Sequence, residues 1–327
     1  MKRFKDILCM VESGNECELA LERAVTLSKN NQARLTVMSV VPSISAGIGM
    51  PKGAPISTEL QEASVSTCKQ ELESLVESYR HKIKIETKVL IGTPFLEIVR
   101  EVLRNAHDLV IKCPESQDWL EHLLSSDDKH LLRKCPCPVW MVRPQSGELF
   151  DRILAAVDVD DSYPSQELKT RQALNEMVIE LASSLAVSEF AELHVVNAWE
   201  AIGESTMRHS AFLQRPEKEI NAYVDQAQQH HTQLFNTFIK KASARLGEDA
   251  ADYIKPQLHM PKGSARKVIP ELAKALHVDC IVMGTVARTG VPGLIMGNTA
   301  ETILDQLECS VLAIKPPGFV TPITLEE

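Results

Sequence analysis

Short, nearly unbroken apolar runs alternate along this chain with longer stretches in which apolar residues return every three or four positions. Ile7-Leu8-Cys9-Met10-Val11, Leu35-Thr36-Val37-Met38 and Cys280-Ile281-Val282-Met283 have the length and character of strands buried on both faces. Helical spacing is clearest in Ile220, Val224, Ala227, His231, Leu234, Phe235 and Phe238. The pattern predicts helices over 17–29, 60–79, 94–106, 168–185, 217–245 and 264–276. Strands that alternate with helices imply βαβ units, and so an α/β fold: a parallel sheet with helices on both faces.

The strand-like runs also repeat. Lys5-Asp6-Ile7-Leu8-Cys9-Met10-Val11-Glu12 resembles Asp151-Arg152-Ile153-Leu154-Ala155-Ala156-Val157-Asp158, and Ala33–Met38 resembles Ala191–Val196. Lys88–Thr93 matches Leu258–Ser264 when Gly92 is set against Gly263. Asp108–Cys113 resembles Asp279–Gly284, and Cys137–Pro144 resembles Cys309–Pro316. Five segments recurring in one order mean duplicated domains. The join falls at Pro144-Gln145-Ser146-Gly147. We therefore divide the chain into a first domain over 1–146, a second over 147–318 and a tail over 319–327. The second is longer because of residues 199–253.

One polar interruption carries more chemistry than the others. Residues 283–301 read Met-Gly-Thr-Val-Ala-Arg-Thr-Gly-Val-Pro-Gly-Leu-Ile-Met-Gly-Asn-Thr-Ala-Glu. A buried strand empties into a glycine-rich loop, and the loop runs into a helix with Asn298 as a good N-cap. A helix start has unpaired N–H groups and a positive dipole end, which attract phosphate. No Gly-Lys-Ser/Thr follows, so the loop is not a P-loop, and it is not G-x-G-x-x-G.

The spacing of Gly284, two residues, Ala287, nine residues, Gly297 and Asn298 resembles the nucleotide loop of the universal stress protein family, with Ala287 in place of a glycine and Asn298 in place of a hydroxyl residue. The repeat extends the resemblance over nearly the whole chain, as in tandem members of that family, and the run from Gly297 looks closest to the E-type members. The resemblance implies two domains, each a five-stranded parallel sheet with helices on both faces, of the adenine-nucleotide alpha-hydrolase-like kind. It implies an intramolecular pseudo-dimer, paired through Val139–Arg143 and Val311–Lys315, with room for a further homodimer. It implies ATP or a related adenine nucleotide at Ala156, Asp158, Val195, Met283, Gly284, Ala287, Gly297, Asn298 and Thr299. Val195 would offer backbone to adenine. Asp158 would lie by the ribose or hold Mg beside the phosphates, since carboxylate and phosphate oxygens suit that ion; it has a plainer reading as a helix cap. The loop has one as an ordinary βα turn. A role in surviving stress comes from the resemblance alone.

The first half differs at each of these places. Glu12 stands for Asp158, Cys113 for Gly284, and Ser125-Ser126-Asp127-Asp128 for Gly297-Asn298-Thr299-Ala300. Two carboxylates suit a helix start by themselves and repel a triphosphate. ATP is expected in the second half only. Three functions stay open: a nucleotide-responsive binding or regulatory module, a slow metal-dependent ATPase, and a scaffold or carrier of an apolar small ligand in the first half. No nucleophile–base–orienter motif is visible, and the first of the three is preferred.

Bulk properties narrow the setting. The 327 residues carry a net charge of -9, which argues against nucleic acid and against anionic membrane surfaces. No apolar run approaches the roughly 20 residues of a membrane-spanning helix. Eight cysteines in a chain whose start leads straight into a strand fit reduced thiols in a cytoplasmic protein. Cys135-Pro136-Cys137-Pro138 invites a metal or redox reading, but a lone C-x-C before a buried strand is expected to be packing. His194, His259 and His231 are likewise expected to be structural. The protein partner is not legible.

Overall fold

A computed structural model describes residues 4–12, 18–44, 55–114, 124–143, 149–210, 215–246, 254–286 and 296–325. The first half runs β1 (Asp6–Met10), α1 (Glu18–Asn31), β2 (Arg34–Val41), α2 (Pro55–Glu77), β3 (Ile85–Ile91), α3 (Pro94–Asn105), β4 (Leu109–Lys112), α4 (Ser126–Lys134) and β5 (Val139–Met141). The second runs β6 (Arg152–Ala156), α5 (Ser165–Glu189), β7 (Glu192–Val196), α6 (Glu204–His209), α7 (Glu217–Leu246), β8 (Gln257–His259), α8 (Ala265–Ala275), β9 (Cys280–Gly284), α9 (Asn298–Leu304) and β10 (Ser310–Ile314).

All ten strands form one sheet in the order β3-β2-β1-β4-β5-β10-β9-β6-β7-β8. Each half is a parallel five-stranded unit, and the two meet where β5 and β10 run antiparallel. Val311 lies opposite Met141, Leu312 opposite Trp140, and Ala313 opposite Val139. The halves thus share a pseudo-two-fold axis. Alternation along each strand feeds two cores. Ile7 and Cys9 of β1 face one side with Trp140, Phe150, Ile153 and Leu312. Leu8 and Met10 face the other with Val139, Met141, Leu154 and Ile281. Both cores cross the junction, which is why the strands read as unbroken apolar runs.

Polar contacts reinforce the junction. Arg23 of α1 pairs with Glu189 of α5 at 3.1 Å and lies 3.6 Å from the centre of the Phe150 ring. After each last strand a cation reaches the other half. Arg143 donates to the Leu307 carbonyl at 2.9 Å, and its backbone N–H donates to Ser310 Oγ at 3.1 Å. Its counterpart Lys315 is buried; it donates to the Leu132 carbonyl of α4 and, at 2.5 Å, to Thr285 Oγ1 just beyond β9.

The repeated glycines have a backbone cause. Gly92 and Gly263 end equivalent strands with φ of +152° and +136°, a region that favours glycine. A Cβ at either would also stand 2.9 Å from Glu97 or Val268.

Two predictions follow from the junction. Residues 149–327 expressed alone would leave the apolar β10 edge unpaired, and an unpaired edge is a template for association. That fragment is expected to dimerise or aggregate in sedimentation at micromolar concentration; a stable monomer would overturn the pairing. Burial drives the Lys315 ammonium down to about 7, against the opposing charge of Cys135. An unfolded lysine holds its proton to about pH 10.4. Between these values the unfolded state binds more protons, so this lysine makes stability rise with pH and lowers it as pH falls toward 7. In urea unfolding at pH 7, 8 and 9, Lys315→Met should remove a slope of up to about 1.4 kcal/mol per pH unit. Identical slopes in the two proteins would show that Lys315 keeps its charge.

Candidate functional site

Parallel sheets of this kind bind ligands beyond the carboxyl ends of the strands, where the strand order reverses. In the second half that place lies between β6 and β9. A cleft of about 500 Å³ opens there. Its floor is Ala156, Asp158, Met283 and Gly284 at the strand ends. One wall is Tyr163, Arg171 and Leu174 of the β6–α5 segment, and another is Ala198, Trp199 and Ile202 beyond β7. Arg266 of α8 closes a third side with Gly297 and Thr299 at the start of α9. The long insertion builds part of this. Trp199 and Ala201 pack against Ile220 and Val224 of α7, and the ring of His231 lies 5.9 Å from that of Trp199.

The β6–α5 turn is held by Asn175. Its Oδ1 accepts from the Asp158 N–H at 3.1 Å, and its Nδ2 donates to the Asp158 carbonyl at 2.6 Å. The Asp158 carboxylate is itself engaged. Arg171 pairs with Oδ2, Tyr163 donates to the same oxygen at 3.3 Å, and the Asp160 N–H donates to Oδ1 at 3.3 Å. Burial raises the Asp158 pKa, with Arg171 opposing the shift. Arg171 lies 3.6 Å from the Tyr163 ring centre and also grips Glu167.

The helix start across the cleft is bare. Gly297 is the cap residue, with φ −73° and ψ 137°, and offers no side chain. Its N–H donates to the Thr285 carbonyl at 3.0 Å. Arg266 Nε donates to Thr299 Oγ1 at 3.3 Å, so a guanidinium sits beside that helix start.

At the same place in the first half the strand ends carry a buried charge network. Lys112, the counterpart of Met283, sends its ammonium 2.9 Å from Asp128 Oδ1 and 3.0 Å from Glu12 Oε1. Asp128 is wholly buried, and Ser125 Oγ accepts its N–H at 3.0 Å. The equivalent opening of the first half, of about 720 Å³, lies beside this network, where Glu12, Val41, Pro94 and Asp127 take the places of Asp158, Trp199, Ala265 and Thr299. Glu12, Glu71 and Asp127 give it an acidic, mixed wall in place of the apolar surface expected for a carrier of an apolar small ligand.

A profile of the universal stress protein family matches residues 3–143 and again 149–315. The chain belongs to the universal stress protein family. It is 29% identical to universal stress protein E of Escherichia coli K12, with 100% of this chain and 99% of that protein aligned. A universal stress protein E homolog of Haemophilus influenzae is 28% identical over 96% of this chain and 98% of its own length. Among solved structures, a functionally unknown protein from Pseudomonas aeruginosa PAO1 is 28% identical with a TM-score of 0.66, covering 96% of this chain and 93% of that one. A universal stress protein from Archaeoglobus fulgidus has the same fold at 17% identity, with a TM-score of 0.59 and coverage of 96% and 97%.

Within this universal stress fold, Ala156, Asp158, Met283, Gly284, Gly297 and Thr299 come together at one cleft. Three expectations need correction. Val195 does not line it: it sits between Ala155 and Leu258 in the sheet interior with its side chain in the core, and Ala198 and Trp199, past the strand end, reach the cleft instead. Asn298 is the first residue of α9 and not its cap, a place taken by Gly297. Asp158 is no open metal ligand, because Arg171 and Tyr163 occupy its carboxylate, and no cluster of three His, Cys, Asp or Glu exists among the described residues. Ala287 lies outside the described residues. Arg171, Tyr163, Asn175, Arg266 and Lys112 were not picked out from the sequence. Lys112 left a signal, a charge ending an otherwise apolar strand.

The two glycines of the loop have different causes. A Cβ at Gly284 would stand 2.4 Å from Leu174 of α5, so this glycine is demanded by helix packing. At Gly297 the nearest described atom would be 4.0 Å away, so no packing among the described residues demands it. Gly284→Ala is expected to cost about 1–3 kcal/mol by overpacking, read by urea unfolding, while Gly297→Ala stays close to the parent. Lys112→Met, which installs the second half's residue, should cost about 3–5 kcal/mol by stranding the buried Asp128.

Proposed function

We propose that the second domain binds ATP or a related adenine nucleotide, and that the protein acts as a nucleotide-responsive binding module in a stress response. One observation carries the reading. At equivalent positions the first half has Lys112 held by Glu12 and Asp128, a Ser125 cap and Asp127 on the cleft wall, whereas the second half has a helix start with no side-chain cap and Arg266 beside it. The group fits the residues present. Arg266 and the N–H groups of Asn298 and Thr299 would hold phosphates. Ala198 and Trp199 would take the base, and Leu174 and Ile303 supply apolar contact. Asp158 is placed for the ribose side. That the base is adenine rests on the family resemblance.

Magnesium fits less well, because the Asp158 carboxylate is already matched by a guanidinium. Charge compensation for phosphates would come from Arg266 instead. Slow hydrolysis with Asp158 and a divalent ion orienting water therefore loses its support.

Gly297→Asp places a carboxylate where the phosphates would sit, and its Cβ meets no described atom closer than 4.0 Å, so the variant is expected to fold, which circular dichroism checks. Calorimetric titration of nucleotide-stripped protein should show ATP affinity falling at least tenfold, about 1.4 kcal/mol. Unchanged affinity in the folded variant would sink the proposal.

A further inference from the structure

The pair Cys135 and Cys137 has no part in the nucleotide reading, and the second half has no equivalent pair, since Leu307 stands opposite Cys135. The structure places their sulfurs 3.6 Å apart, in contact and in a turn of only three residues. Cys135 closes α4, with its N–H on the Leu131 carbonyl, and Pro138 leads into β5. Cys135 is wholly buried and Cys137 is 8% exposed, so any oxidant enters past Cys137 and must be small. Lys315, from the other half, ends on the Leu132 carbonyl one turn before Cys135.

We propose that Cys135 and Cys137 are an oxidative-modification site, at which a small hydroperoxide closes the two thiols into a disulfide. In the first step a thiolate sulfur attacks the distal peroxide oxygen. The O–O bond breaks, the leaving oxygen takes a proton and departs as an alcohol, or as water from hydrogen peroxide, and a sulfenic acid remains. In the second step the neighbouring sulfur attacks that sulfur. The S–O bond breaks, and hydroxide leaves with the second thiol's proton as water. Two thiols lose two electrons in all, and one peroxide gains them.

Three features favour this pair over the other cysteines. Contact between the sulfurs means that closure to an S–S bond of about 2.05 Å needs only a short approach. The charge balance also differs. Burial pushes Cys135 up, but the Cys137 hydrogen bonds and the Lys315 charge outweigh it and draw the thiol below its ordinary value. Cys137 is raised well above, by its hydrogen bond to Cys135 and then by burial, so Cys135 is the sulfur that loses its proton more readily. Elsewhere burial raises Cys280 far above the usual thiol range and pushes Cys309 to about 12, which leaves both protonated and inert. Finally, a disulfide across one intervening residue is strained, and strained disulfides are the reducible, regulatory kind. Closure would tighten the turn that follows the last helical turn of α4, whose Leu132 carbonyl accepts from Lys315; that ammonium also donates to Thr285, which lines the second half's cleft.

The test uses the full-length protein, millimolar hydrogen peroxide, quenching, denaturing alkylation and peptide mass spectrometry. The peptide holding Cys135 and Cys137 should appear two hydrogens lighter and unalkylated, restored by a dithiol reductant. It should form about tenfold faster than thiol loss at Cys309 or Cys280. In Cys137→Ser, and in Cys137→Ala should the first variant fold poorly, Cys135 should instead accumulate as a sulfenic acid captured by a dimedone-type trap. Full alkylation of both cysteines after a treatment that oxidises surface methionines would overturn the proposal, and so would direct passage to sulfinic acid without the disulfide.

Discussion

The antiparallel contact between β5 and β10 is the constraint on which the molecule depends. Each half ends in a short apolar strand that would stand as an open sheet edge on its own. Set against each other, the two strands satisfy their ladder groups, and the sheet becomes a single ten-stranded layer. Both hydrophobic cores then run across the join, with Trp140 and Leu312 on one face and Met141 and Val311 on the other. Duplication therefore produced one continuous body. It also brought charged groups into the seam, where Arg23 meets Glu189, Arg143 meets the Leu307 carbonyl, and Lys315 meets that of Leu132.

Within that symmetric frame the two strand-end clefts have gone separate ways. The difference turns on one position, Lys112 in β4 against Met283 in β9. A buried lysine demands counter-charge, and Glu12 and Asp128 supply it. That network, with Asp127 beside it, makes the first cleft acidic. In the second half an apolar methionine makes no such demand, and the helix start beyond it is left with backbone donors and a neighbouring arginine. The same frame thus carries two clefts of opposite charge character. The insertion after β7 adds to the asymmetry by walling the second cleft with Trp199, Ile202 and α7.

Much was legible in the chain. Runs of apolar residues gave strands, three-to-four spacing gave helices, and the recurrence of five segments gave two α/β halves, because all three patterns are local and survive without knowledge of contacts. The pairing of the halves was legible too, since an apolar last strand in each leaves few other ways to bury two edges. Less legible was the purpose of individual residues. Gly284 and Gly297 look alike in sequence, yet one is fixed by Leu174 and the other by no contact among the described residues.

The sequence by itself determined the class of fold and the duplication. It did so through hydrophobic period and through the recurrence of five strand-like segments in one order. Only the tertiary structure decided which side chains face each other across the cleft. Arg171 reaches Asp158 from thirteen residues along the chain, Arg266 reaches Thr299 from another helix, and Asn175 clamps the turn after β6. Val195 was drawn away from the cleft because strand pairing on both sides sets it inside the sheet. Such pairings depend on where elements dock, and docking is set by packing over the whole sheet, so no local pattern records them.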